Sequence, residues 1–82
     1  MIEWFSTKEM SEKTGIEQHL FKTLRECGLL SGRKQGHGYW WDTEEMDMFT
    51  RATRGMDITN PETIRFYAPM IKKKMASIGA ND

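Results

Sequence analysis

The chain has 82 residues, of which 12 are Lys or Arg and 12 are Asp or Glu, so its formal net charge is zero. This length fits one small domain with a modest core, and the even charge excludes a protein that holds nucleic acid by bulk charge alone. Hydrophobic residues at 38% and charged residues at 29% describe a globular domain with a polar surface, not a disordered chain.

The first punctuation is Ser6-Thr7-Lys8-Glu9. It reads as a capping box, in which Ser6 accepts from the Glu9 amide while Glu9 reaches back. A short helix is expected from Thr7 to about Lys13, ended by Gly15. A second helix follows at once, with Ile16, Leu20, Phe21, Leu24 and Cys27 as its apolar positions and Gly28 as its stop. Two short helices joined by a glycine turn form a helix-turn-helix pattern.

Residues 29–42 read as a β-hairpin. Leu29-Leu30 is its first apolar run, residues 31–38 a polar loop with three glycines, and Tyr39-Trp40-Trp41 an aromatic strand. Adjacent strand residues face opposite ways, so Trp40 and Trp41 cannot both enter the core. Asp42-Thr43-Glu44-Glu45 reads as a second capping box, opening a helix with Met46 and Phe49 inward and Gly55 at its end. Asn60-Pro61 opens the last helical stretch, with Ile64, Ile71, Met75 and Ile78 at helical spacing. Pro69 is expected to kink or split it. The seven methionines are read as gap-filling core residues or as an adaptable partner surface.

The fold class is therefore mostly α with a small β-hairpin, in the order helix-helix-hairpin-helix-helix. That is a winged helix-turn-helix arrangement over residues 1–59. Residues 60–82 supply a C-terminal helix or helices for packing or dimerisation.

Residues 4–56 resemble the DNA-binding domain of MerR-type regulators. The resemblance rests on Phe5-Ser6-Thr7-Lys8-Glu9-Met10-Ser11, on Gly15-Ile16 spaced from Gly28-Leu29-Leu30, on Phe21-Lys22, on Trp41-Asp42-Thr43-Glu44-Glu45-Met46 and on Gly55-Met56. The same architecture occurs in phage excisionases and in some phage terminase small subunits. The resemblance implies a second helix in the major groove and a hairpin wing on the adjacent backbone. Thr23 stands where that family has a tyrosine, and is by the resemblance a further contact. The sequence departs from the family at Glu17, in place of a serine, and at Tyr39 and Trp40, in place of the arginines before the wing aromatic.

Charge is unevenly spread. Residues 1–48 carry six basic and nine acidic side chains, whereas residues 49–82 carry six basic and three acidic. Gln18, His19, Lys22 and Arg25 or Glu26 fall on the second helix away from Phe21 and Leu24. Gln18 suits adenine, and Lys22 suits guanine or phosphate. His19 reads equally as a DNA contact or a pH-sensitive surface residue. Arg33, Lys34 and His37 in the glycine-rich loop suit phosphate. Trp40 reads as an exposed stacking or anchoring residue or as a cap on the core beside Trp4. Lys72, Lys73 and Lys74 read as a second phosphate patch or as a solubilising face.

Enzyme chemistry finds no support in the sequence. Cys27 and His19 lie eight residues apart, about 12 Å along one helix, too far for a nucleophile–base pair. With Cys27 the only cysteine, neither an internal disulfide nor a thiolate zinc cluster can form within the chain, and no cofactor is implied. No apolar run reaches the roughly 20 residues of a membrane span, and residues 1–20 lack a secretory signal pattern. The expected setting is the cytoplasm of a bacterial or phage-infected cell, at the nucleoid. The expected partner is double-stranded DNA, bound as a homodimer or cooperative oligomer by a transcriptional regulator or excisionase-like accessory factor. The alternative is a winged-helix module that docks a protein through Tyr39 and Trp40, with no membrane role in either case.

Overall fold

Local capping sets the helix boundaries in the computed structural model, which describes residues 3–81. Trp4–Ser6 forms β1 and Thr7–Thr14 forms α1. The capping box between them is complete. The Glu9 amide donates to Ser6 Oγ at 3.3 Å, and the Ser6 amide donates to Glu9 Oε1 at 3.4 Å. Gly15 closes α1 in the left-handed conformation.

α2 spans Gln18–Glu26. Its end is a Schellman motif. The Leu29 amide donates to the Leu24 carbonyl at 2.9 Å and the Gly28 amide to the Arg25 carbonyl at 3.0 Å, with Gly28 at φ 76°. Leu29 and Leu30 are both buried, so this apolar pair is the tail of the motif and not the first strand of the hairpin. The strand is instead β2, Arg33–Gln35, joined by the Gly36-His37 turn to β3, Gly38–Asp42. β2 has no apolar residue to announce it.

The three strands form one antiparallel sheet in the order β1-β3-β2. Phe5 pairs with Trp41 and Ser6 with Trp40 on one side, while Arg33 pairs with Trp40 and Lys34 with Tyr39 on the other. As strand alternation requires, Trp41 is buried and Trp40 faces the other way, half-exposed. Trp41 Nε1 donates to Thr7 Oγ1 at 2.8 Å, so the buried indole keeps its polar partner. Gly32 crosses beside it at φ 59°, and a Cβ there would lie 2.7 Å from the Trp41 ring. Gly32→Ala is expected to cost about 2–3 kcal/mol, from left-handed backbone and the clash together, read as a lower urea midpoint.

α3 spans Thr43–Ala52, capped by Asp42 Oδ1, which accepts from the Glu45 amide at 2.6 Å. The box expected here is not reciprocal. Glu45 turns away and accepts from the Ser31 amide at 2.6 Å and the Ser31 hydroxyl at 2.8 Å. It thereby pins the segment between α2 and β2 to α3. Glu45→Ala is expected to lower stability by about 1 kcal/mol in denaturant unfolding, with Ser31→Ala giving a smaller loss because the amide bond survives.

α4 runs unbroken over Pro61–Asn81. Asn60 Oδ1 accepts from the Glu62 amide at 2.8 Å, with Pro61 in the first helical position. Of the kink or split expected at Pro69, the split does not occur. Pro69 is exposed, so the carbonyl it leaves unbonded, that of Arg65, lies on a face open to water. Ahead of α4, Asp57 Oδ1 accepts from the Thr59 hydroxyl at 2.6 Å and its amide at 3.1 Å. These bonds favour the charged form and hold the Asp57 carboxyl below its usual range. Their contribution to stability is present above the usual carboxylate range and is lost as pH falls through the lowered pKa.

The described residues are thus mostly α, with four helices and one small sheet. Phe21 and Leu24 from α2, Met10 from α1, Met46 and Phe49 from α3, and Ile64 and Ile71 from α4 share one core with Trp41. Ile71 and Met75 are buried in that core and Ile78 packs against it, which is the packing alternative for the last helix. Met10, Met46 and Met75 are buried and Met48 and Met56 partly so, in keeping with gap filling, whereas Met70 is 41% exposed and is not a core residue. α4 leaves Phe66, which is 77% exposed, in edge contact with Tyr67 at 4.9 Å between ring centres. Lys72 lies against the end of α2, its Nζ 3.1 Å from where a Cβ on Gly28 would sit. A cation there complements the α2 carboxyl-terminal dipole. Lys73 and Lys74 are exposed.

Candidate nucleic-acid interface

Four side chains tie α2 to the hairpin. Phe21 packs on Trp41 at 5.2 Å between ring centres, Trp41 on Tyr39 at 6.0 Å, and the Arg25 guanidinium lies 4.6 Å from the Tyr39 ring centre. The stack fixes how far α2 stands from β3 and orients Arg25. Gln18, Lys22 and Arg25 are exposed along one side of α2. Together with Thr7, Glu26 and Tyr39 they line a groove between that helix and the sheet.

The sheet register divides the expected contacts between two faces. Directly opposed antiparallel residues project to the same side. Lys34, opposite Tyr39, is therefore on the side of the sheet that carries Tyr39, and Arg33, opposite Trp40, is on the other face. Arg33 and Lys34 stand on β2, not at the hairpin tip, which is Gly36-His37. Lys34 and His37 are both exposed.

Two expected contacts lie elsewhere. Thr23 is only 6% exposed, on the inner side of α2, and cannot meet a ligand on the outer side. His19 is exposed but turned to the start of the helix, with Nδ1 3.2 Å from Glu17 Oε2. That contact is an ion pair only when His19 is protonated. Tyr39 and Trp40 face opposite sides of β3 and cannot act as one anchor.

Two residues with interface chemistry escaped the sequence reading. Trp4, which is 43% exposed, and Gln35 join Arg33, Gly36 and Trp40 around a groove on the outer face of the sheet. Once β1 is recognised, the alternation of Trp4-Phe5-Ser6 places Trp4 on that face. Among the described residues, no group of three or more His, Cys, Asp or Glu is placed to hold a metal ion, and no helix is long and apolar enough to cross a membrane. No family model matches the sequence, and no curated protein or solved structure matches it.

Proposed function

We propose that the chain is a small double-stranded-DNA-binding protein of winged helix-turn-helix type, a regulator or a mobile-element accessory factor. On this reading α1 and α2 are the helix-turn-helix and the β2–β3 hairpin is the wing. The observation that carries it is the single groove joining Gln18, Lys22 and Arg25 of α2 to Tyr39 of β3, with Lys34 on the same side. Three cations along one edge suit phosphates on both sides of a groove. Gln18 is the first residue of α2, where a recognition helix meets base edges, and its amide suits adenine. Glu26 lies on the same rim and disfavours phosphate beside it, which confines backbone contact to the cations.

One module of this size covers a small DNA surface, so stable occupancy calls for a pair or an array on repeated half-sites. The test is equilibrium binding of the whole chain to mixed-sequence duplex across a salt series. Binding at low salt that falls steeply as salt rises supports the reading. Absence of binding at low salt removes it, and a protein partner then becomes the reading to pursue.

A further inference from the structure

We propose that the outer face of the sheet is a second nucleic-acid site, one that takes an unpaired base with its phosphate. It lies across the sheet from the α2 groove and does not depend on that groove binding duplex. Trp4 is paired with Asp42, and Trp40 with Ser6, so the two indoles are diagonal neighbours across β1 and β3. Diagonal residues on one face stand about 7–8 Å apart. That separation is about two base-stacking intervals of roughly 3.4 Å, room for one planar ring between two others.

The surroundings match the same ligand. A Cβ on either Gly36 or Gly38 would meet no atom within 4 Å, so backbone or sugar can come close there. Gln35 offers both a donor and an acceptor to a base edge. Among the described residues that line the groove Arg33 is the one with a charge, and its guanidinium suits a phosphate. Aromatic faces for stacking with a cation for the backbone are the means by which single strands are held with little sequence preference. An extended peptide would use the indoles but would leave Arg33 without a partner unless it were acidic.

The test titrates an oligothymidylate of about eight nucleotides into the whole chain and reads tryptophan fluorescence. Trp41 is buried and contributes a constant background. Saturable, salt-sensitive quenching is expected. Trp4→Ala should weaken it about tenfold or more and Trp4→Phe should retain most of it. Arg33→Ala should reduce the salt slope by about 0.7. The Lys22→Ala/Arg25→Ala variant should lose duplex binding and keep the quenching, which separates this site from the α2 groove. The proposal is overturned if the oligothymidylate gives no quenching at low salt or if Trp4→Ala binds as the parent does. It is likewise overturned if loss of Lys22 and Arg25 abolishes the quenching, or if an acidic peptide and not the oligonucleotide shields the exposed indoles from iodide.

Discussion

Phe21→Ala is expected to remove about 3–5 kcal/mol of folding stability. Phe21 is fully buried on α2 and its ring lies 5.2 Å from that of Trp41, so truncation opens a cavity where the helix meets the sheet. A domain of 82 residues holds about 4–12 kcal/mol in total, at roughly 0.05–0.15 kcal/mol per residue. The loss is therefore a large share of the total, and at the low end of that range it unfolds the variant in water. Urea unfolding followed by tryptophan fluorescence measures this as a large fall in the midpoint. A loss below about 1 kcal/mol would mean that the α2–sheet contact is not the centre of the core.

The Lys22→Ala/Arg25→Ala double variant is expected to weaken duplex binding about a hundredfold at low salt and to reduce the salt slope by about 1.8. Both side chains are exposed, so the fold should survive their removal. Loss of the Arg25 contact with Tyr39 should cost only about 0.5–1 kcal/mol of stability. The signature is a large binding defect in a chain that still unfolds cooperatively. Unchanged affinity would remove the α2 groove from the binding surface. Unchanged slope with weaker affinity would mean that the two cations act through packing and not on phosphate.

Much of the helical framework was legible because its signals are local. Ser6 and Glu9 cap α1 within four residues of sequence, Gly28 terminates α2, and Asn60-Pro61 starts α4. The opposite facing of Trp40 and Trp41 followed from strand geometry alone. What the sequence hid is non-local. β1 is three residues long and exists through pairing with β3, on the far side of two helices in the chain. β2 is wholly polar, so periodicity cannot show it, and the buried Leu29-Leu30 drew the strand reading to the wrong place. Glu45 has the spacing of a capping box yet bonds Ser31, a choice set by tertiary proximity. Pro69 is tolerated because of the face it occupies, which depends on how α4 lies on the core.

The candidate interface shows the same division. Gln18, Lys22 and Arg25 were found from helical spacing, and they do share a groove. Thr23 came from the resemblance, and the helix turns it inward. Arg33 and Lys34 were read as one basic cluster, but adjacent strand residues point apart, so the register assigns them to different faces. Trp4 is read from the sequence only as a core neighbour of Trp40, and its place on the outer face needs β1.

The most direct test of the central proposal is a map of backbone amide shifts on adding a short mixed-sequence duplex to the isotope-labelled chain. If α2 and the wing hold DNA, the largest shifts fall along residues 18–26 and 33–39, while the exposed face of α4 around Phe66 stays still. Shifts centred on α4, or no shifts at low salt, would contradict that proposal.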